Sequence, residues 1–193
     1  MKKIILTSLA AIALTTTANA ATPYVALKLG HNIVESSTTP KNGSEHANDD
    51  IRGFIGGGAN GVSFDVSEMI AIRTDLEYNF AWSRGKLTHG ADNTTITDHK
   101  ILANGYMDFG GSKWAGFTPY VGVGIGYAIG NMDNGNDIDI NGFGLALSLG
   151  ASYALNDNLS ADLGFRWLSM SRKYDENIIG RGDFDTDELT MSL

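Results

Sequence analysis

The stretch "MIAIRTDLEYNFAWS", residues 69–83, alternates between apolar and polar side chains at almost every step. Its even-numbered positions, from Ile70 to Trp82, are apolar or aromatic apart from one threonine. The charged residues of the odd-numbered face are Arg73, Asp75 and Glu77. A period of two is the pattern of a β-strand with one apolar and one polar face. In a soluble sandwich the apolar face would be the core, whereas in a membrane-spanning barrel it would face lipid and the charges would face the lumen.

The first twenty residues, "MKKIILTSLAAIALTTTANA", have the layout of a secretory signal peptide. Lys2 and Lys3 form the basic start, residues 4–14 are mostly apolar, and residues 18–20 form a small-residue cleavage site. The apolar run is too short to cross ~30 Å of hydrocarbon, which needs about 20 apolar residues. We therefore predict a signal peptide over residues 1–20, cleaved after Ala20, and a single domain over residues 21–193.

The composition excludes several classes of protein. The formal net charge of −8 argues against nucleic-acid binding, which requires a basic face. Cysteine is absent, so an exported domain would have no disulfides and would depend on its own hydrogen bonds and packing. No later segment has 18 consecutive apolar residues, so the sequence predicts no transmembrane helix after the signal peptide. The 24 glycines, the scattered aromatic residues and the absence of long helix-period stretches favour an all-β chain.

The chain reads as alternating strands and connections. The predicted strands are residues 23–30, 52–64, 69–83, 100–109, 118–130, 142–155 and 159–172, with an eighth from Glu188 to Leu193. The connections 65–68, 110–117 and 156–158 are short, whereas 31–51, 84–99, 131–141 and 173–187 are long and polar. This alternation of short and long connections, with strands that meet the about 9–11 residues needed to cross a bilayer, is typical of membrane barrels. The sequence therefore predicts an eight-stranded antiparallel up-and-down transmembrane β-barrel.

Aromatic and small residues support that interpretation. Along residues 118–155, one face of each strand carries little besides Gly, Ala and Ser, which suits the crowded interior of a narrow barrel. The opposite faces carry large apolar residues and would meet lipid. Aromatic residues near the strand ends would form two interfacial girdles. The residues predicted to face lipid in these girdles are Trp82, Phe109, Phe143, Tyr153 and Trp167.

Three segments resemble one known family. The segments "TPYVGVGIGYA", "TDLEYNF" and "LGFRW" are similar to the opacity-protein-like, OmpA-like eight-stranded outer-membrane barrels of Gram-negative bacteria. The resemblance implies an outer-membrane surface antigen, sometimes an adhesin, in contact with outer-membrane lipid and lipopolysaccharide. Such barrels usually end in an aromatic residue, whereas this chain ends "DELTMSL" after a last strand of about six residues. We therefore expect the last strand to be incomplete in this chain.

Charged residues on the inward faces form the candidate site. They are Lys28, Arg73, Asp75, Glu77, Lys100, Asp108, Asp162 and Arg166, with Arg172 as a further candidate at the end of its strand. Because unpaired buried charges are costly, we predict that these residues form an ion-pair network in the lumen. The alternative is that Asp75 and Glu77 act as a catalytic acid and base. No nucleophile motif accompanies them. A catalytic pair of Ser83 and His99 has no support from spacing, because a long predicted loop separates the two residues.

One acidic segment has part of a metal-binding pattern. In "DIDING", Asp137, Asp139 and Asn141 match the first half of a calcium loop. The position of the closing glutamate is Ser148, so we expect a hydrated acidic loop rather than a metal site, and no cofactor.

The leading hypothesis is a non-enzymatic, monomeric surface protein of the outer membrane. Four long extracellular loops would contact the host or the environment. The first alternative is a small-solute channel, because glycine walls could leave a narrow wet crevice. A lipid-modifying enzyme of the outer membrane is the less favoured alternative.

Overall fold

The computed structural model describes residues 21–37, 49–87, 91–110, 116–133, 137–176 and 180–193, without the side chains of 35–37, 49–50, 86–87, 91–94, 137, 174–176 and 180–184. The strands are β1 (Thr22–Ser37), β2 (Asp49–Ser67), β3 (Ile70–Leu87), β4 (Ala91–Phe109), β5 (Phe117–Asp133), β6 (Asp137–Asn156), β7 (Leu159–Glu176) and β8 (Gly180–Ser192). Each strand pairs antiparallel with its neighbours in sequence, and β1 pairs with β8. The predicted fold class, an eight-stranded up-and-down barrel, is confirmed.

No helix among the described residues has the length and hydropathy needed to cross a membrane. The predicted signal peptide lies outside the described residues.

The strands are longer than the sequence predicted, at 13 to 20 residues each. The prediction of long polar connections over 31–51, 84–99, 131–141 and 173–187 was wrong in extent, because β3 continues to Leu87 and β4 begins at Ala91. Residues 38–48 of the first connection lie outside the described residues. Beyond the lipid, outward side chains are free to be polar, so the apolar alternation ends while the backbone ladder continues.

The eighth strand is also longer than the sequence predicted. It begins at Gly180 rather than at Glu188, pairs with β7 over residues 164–176, and pairs with β1 over residues 30–37. Leu29 and Leu193 then exchange two backbone hydrogen bonds of 2.9 and 2.8 Å. Apart from Phe184, residues 180–187 are polar or glycine, so they have no continuous apolar face that would identify them as a strand.

The strands are strongly staggered around the barrel. Following registered partners once around the ring leads from Ile33 to Pro23, a displacement of 10 residues. The path is Ile33, Leu189, Trp167, Leu147, Val123, Gly105, Thr74, Val62 and Pro23. Such a stagger requires the strands to tilt against the barrel axis. Tilted strands of this length cover an apolar band of about 25 Å.

The two faces of the opening stretch are arranged as the alternation predicts. The side chain of Leu76 points outward and is 41% exposed, whereas that of the adjacent Glu77 points inward and is 1% exposed. The same alternation holds along β5, where outward Val123 and Ile125 flank inward Gly124. Along residues 69–83 the charged side chains thus lie on the inward face and the large apolar side chains on the outward face.

Inward glycines of β5 make room for large side chains of β4. A Cβ at Gly122 would collide with the ring of Tyr106, and a Cβ at Gly126 would lie 2.8 Å from Leu102 Cγ. The glycine walls are therefore filled from the neighbouring strand instead of lining an open crevice.

Candidate functional site: the lumen of the barrel

Glu77 on β3 is the centre of a group of side chains that we call the Glu77 network. Lys28 Nζ on β1 donates to Glu77 Oε2 at 2.5 Å. Arg166 on β7 donates from Nη1 to Oε1 at 2.5 Å and from Nη2 to Oε2 at 2.9 Å, which is a bidentate pair. Asn79 Nδ2 also donates to Oε1, at 2.6 Å. These contacts link β3 to β1 and β7 across the lumen.

Asp75 extends the Glu77 network toward the end of the barrel that carries the chain termini. Asn104 Nδ2 donates to Asp75 Oδ1 at 2.7 Å and to Glu77 Oε2 at 2.9 Å, so a single amide bridges both carboxylates. The Tyr24 hydroxyl donates to Asp75 Oδ2 at 2.9 Å. Arg166 also donates to the Tyr106 hydroxyl at 3.1 Å.

A second group surrounds Arg73 and is called the Arg73 cluster. Arg73 Nε lies 2.6 Å from Asp108 Oδ2, and Arg73 Nη1 lies 3.9 Å from Asp162 Oδ2. The guanidinium also lies 5.8, 5.1 and 5.1 Å from three tyrosine ring centroids, which is within cation–π range. The rings belong to Tyr24, Tyr106 and Tyr120. These rings fill the lumen near the termini.

A third group, the Asp98 network, occupies the opposite half of the barrel. Arg172 on β7 forms a bidentate pair with Asp98 on β4, with distances of 2.9 and 2.8 Å, and its Nε donates to Thr186 at 2.9 Å. Lys100 pairs with Glu188 on β8 and lies 3.8 Å from Asp98. Two cations and two carboxylates balance each other in this half.

Apolar side chains separate the Glu77 network from the Asp98 network along two strands. On the inward face of β4, Leu102 lies between Lys100 and Asn104. On the inward face of β7, the apolar residues between Arg166 and Arg172 are Leu168 and Met170. With Ala128 and Ala146 they form one buried cluster. A second apolar cluster, of Val34, Ile51, Ile96 and Ile140, fills the lumen at the end away from the termini.

This arrangement suits a plug better than a catalytic site. Each oxygen of Glu77 and of Asp75 accepts at least one hydrogen bond from a neighbouring side chain. A carboxylate held in this way by charged and amide donors is not available to move protons for a substrate. The enclosed ion pairs and the apolar clusters instead occupy the space that a solute would need.

The sequence prediction placed most members of these groups on the inward face but missed several of their partners. Asp98 was assigned to a loop, although it continues the inward alternation that runs through Lys100 and Leu102. The carboxylate of Glu188 was also missed. The missed uncharged partners are Tyr24, Asn79, Asn104, Tyr106, Tyr120, Ser148 and Thr186. Extending the period of two backward from Lys100 would have revealed Asp98, whereas the uncharged partners give no charge signal.

The acidic segment has a different conformation from the loop expected for it. Asp137, Asp139 and Asn141 belong to β6, not to a connection. Alternate residues of an extended strand lie about 6.6 Å apart along one direction, so they do not curl around one cation as a calcium loop does. The side chain of Asp137 lies outside the described residues.

The predicted girdle residues lie on the outer surface. Trp82, Phe143 and Tyr153 are 40%, 54% and 40% exposed. Phe109 is half-buried next to its registered partner Ile70. Trp167 is registered with Leu147 and Leu189, so it lies among aliphatic side chains of the belt rather than at its edge.

Comparisons with known proteins place this geometry in context. Residues 4–193 match a family model described as the outer membrane protein beta-barrel domain. Outer membrane protein PagN of Salmonella typhimurium is 26% identical over 167 residues, which covers 74% of this chain and 69% of PagN.

Two further similarities are lower in coverage or identity. An uncharacterized protein of Brucella abortus is 29% identical over 144 residues, covering 58% of this chain; the chain spans about half the length of that relative. The crystal structure of Neisserial surface protein A superposes with a TM-score of 0.46 at 16% identity, covering 88% of this chain and 96% of the other.

Proposed function

The chain belongs to the outer membrane protein β-barrel domain family, and from this premise we propose that it is a non-enzymatic surface protein whose lumen is closed to solutes. Residues 1–20 would direct export and be removed after Ala20. The end of the barrel that carries the termini would face the periplasm, and the opposite end would face outward. Lipid and lipopolysaccharide would surround the barrel, which we expect to be a monomer.

The observation that carries this proposal is the filled lumen. The Glu77 network, the Asp98 network and the two apolar clusters occupy successive parts of the interior among the described residues. An eight-stranded barrel encloses only enough space for its own side chains. The packing therefore favours a closed barrel over the small-solute channel.

Conductance in planar bilayers tests this proposal. The folded wild-type protein should give no steady single-channel currents. The positive control is a general porin in the same bilayers, which shows that the assay detects an open barrel. Folding of the protein is checked by the mobility difference between heated and unheated samples in electrophoresis. Steady wild-type currents would support the channel instead.

We further propose that the outward connections make the contacts with host or environment. The support is the sequence of residues 38–48, "TTPKNGSEHAN", which is the longest segment between described strands and is rich in polar residues. Loops on a rigid scaffold are where binding residues concentrate.

Cell binding tests the contact proposal. Bacteria that display the wild-type protein and lack other adhesins should bind cultured epithelial cells. Replacing residues 38–48 by a Gly–Ser linker of equal length should abolish that binding. Replacing residues 111–115, which join β4 to β5 at the other end, is the matched control. Equal binding by the display strain and by a strain without the protein would refute the contact role and leave the closed-barrel proposal untouched.

A further inference from the structure

Two arginines lie opposite each other on the outside of the barrel. Arg52 on β2 and Arg84 on β3 are registered partners, and both side chains are exposed. Like charges directly opposite each other in a sheet are destabilising. Among the described side chains, neither guanidinium has a carboxylate within 4 Å, although the chain has 22 acidic and 14 basic residues. The pair is thus a cationic site without a counter-charge among the side chains that the structure describes.

This arginine pair lies where the apolar belt ends. The next outward residues toward the termini are Phe54 and Trp82, which are themselves registered partners and are 67% and 40% exposed. The guanidinium of Arg84 lies 5.2 Å from the ring centroid of Trp82, a cation–π contact that holds the cation against the edge of the belt. Aromatic residues of membrane barrels lie at the interface between hydrocarbon and headgroups. The arginines are therefore at the level of lipid headgroups.

An apolar groove runs from the arginine pair into the belt. Gly56 and Gly58 continue the outward face of β2 below Phe54. Gly56 is registered with Leu29 and Phe80, so large side chains form both walls. A Cβ at Gly56 would meet nothing closer than Leu29 Cδ2 at 3.6 Å, which is ordinary contact. Packing inside the barrel therefore does not require glycine at position 56, in contrast to the inward glycines. Because glycine in the middle of a strand is destabilising, its presence there calls for another explanation.

We propose that Arg52 and Arg84 bind a phosphate group of an outer-leaflet glycolipid, with one acyl chain of that lipid lying along Gly56 and Gly58. Two guanidinium groups bind a single phosphate through charge-assisted, bidentate hydrogen bonds. The phosphate supplies a counter-charge that none of the described side chains provides, and the groove accepts a flexible apolar chain between the walls of Leu29 and Phe80. Assignment of this rim to the outer leaflet rests on the orientation proposed above, but the lipid site does not depend on cell contact.

Titration with a bisphosphorylated lipid A tests the phosphate contact. The folded protein is placed in phosphatidylcholine nanodiscs, and bound lipid A is quantified by native mass spectrometry. The variant Arg52→Ala/Arg84→Ala should bind at least tenfold more weakly than the wild type. The matched control is Lys173→Ala, which removes an exposed cation on β7 whose registered partners are Asn141 and the acidic Asp183; it should change the affinity less than twofold. Wild-type affinity in the double variant, or an equal loss in the control, would overturn the proposal.

The acyl chain is tested with a second pair of variants. Gly56→Val fills the groove and should weaken lipid A binding about as much as removing one arginine. Gly105→Val is its control, because Gly105 also lies on the outer face and a Cβ there meets nothing within 4 Å. Dephosphorylated lipid A should bind the wild type at least tenfold more weakly, and millimolar inorganic phosphate should not displace lipid A. Displacement by inorganic phosphate, or equal effects of the two glycine variants, would overturn the acyl-chain contact.

The nanodisc result is independent of the earlier proposals. A nanodisc exposes both leaflets, so lipid A reaches the arginine pair whichever way the barrel is oriented. Failure of the epithelial-cell assay would leave the lipid site standing, and failure of the lipid A titration would leave the contact proposal standing. Folding of each variant is checked by heat-dependent mobility, so a loss of binding is counted only for a folded barrel.

Discussion

At the scale of single residues, the stability of the lumen depends most on Glu77. Its carboxylate accepts hydrogen bonds from Lys28, Arg166, Asn79 and Asn104, and only 1% of the residue is exposed. Burying these charges is expensive, so the arrangement is stable only while each charge keeps its partner.

Glu77→Gln should therefore destabilise the barrel strongly. Lys28 and Arg166 would lose their counter-charge, and breaking a buried pair by removing one partner costs about 3–5 kcal/mol. The free energy of unfolding, measured by urea titration of the protein in lipid vesicles, checks this. Glu68→Gln, in the exposed turn between β2 and β3, is the control and should change stability by less than about 0.5 kcal/mol. Equal stability of both variants would mean that the Glu77 charge is not needed.

Substitutions at two glycines compare the cost of an added side chain inside the barrel with its cost on the outer face. Gly124→Val places a branched side chain against Asn104 Oδ1 and the Ala146 Cβ inside the barrel, and overpacking costs about 1–3 kcal/mol. Gly105→Val adds the same atoms on the open outer face and should be neutral or slightly stabilising. Thermal unfolding followed by electrophoretic mobility measures both. Similar loss in both variants would show that the interior has spare volume.

At the scale of strands, the outward faces define the depth of the barrel in lipid. Leu76 lies on β3 midway between Ile70 and Trp82 and is 41% exposed. Thr97 is the registered partner of Trp82 on β4, at the edge of the belt. These two positions differ in depth but share the outer surface.

A charge should be tolerated at the edge and not in the middle. Leu76→Arg is expected to destabilise the folded barrel by about 2–4 kcal/mol, whereas Thr97→Arg should cost about 0–1 kcal/mol. Both are measured as unfolding free energies in lipid vesicles. A larger effect at Thr97 than at Leu76 would show that the belt lies elsewhere along the strands.

The position of a residue inside or outside the apolar belt explains which strand segments the sequence could predict. Within the belt, lipid favours apolar outward residues, so the period of two is visible and identifies the strands from residues 69–83 and 118–155. Beyond the belt, outward positions such as Arg84 and Asp139 are polar like the inward ones, and the strand signal disappears although the ladder continues. The inward charges could be predicted from the alternation of inward and outward positions along each strand. Which cation pairs with which carboxylate depends on the stagger of 10 residues between strands, and the sequence of one strand does not determine that stagger.

At the scale of the whole molecule, the orientation of the barrel decides what is exposed to the outside. Ala21 lies at the end of the barrel where β2, β4 and β6 finish, and β8 runs toward the same end but stops opposite Gly30 and Gly164. β1 finishes and β2 begins at the other end, and residues 38–48 connect these two strands in the sequence. Only one of these ends can face the medium around an intact cell.

Trypsin added to intact cells should cut at Lys41 and spare Lys113. The expectation follows from the orientation, because residues 38–48 would be extracellular and residues 110–116 periplasmic. The fragments are identified by mass spectrometry. Permeabilised cells provide the control, since Lys113 should become accessible there. Cleavage at Lys113 alone in intact cells would reverse the orientation.

The separation of the Glu77 network from the Asp98 network has a consequence for how such a chain changes over generations. Among the described residues, no hydrogen bond or ion pair joins the two networks, and Leu102, Leu168 and Met170 lie between them. Effects of changes without shared partners usually add to within about 0.3–0.5 kcal/mol. A hydrogen bond or ion pair lost by mutation in one half is therefore replaced only by a second mutation in the same half, whereas a stabilising mutation elsewhere adds to the total stability without restoring that contact. Each half therefore accumulates compensating mutations independently of the other. A hybrid that combines the halves of two diverged descendants should still fold.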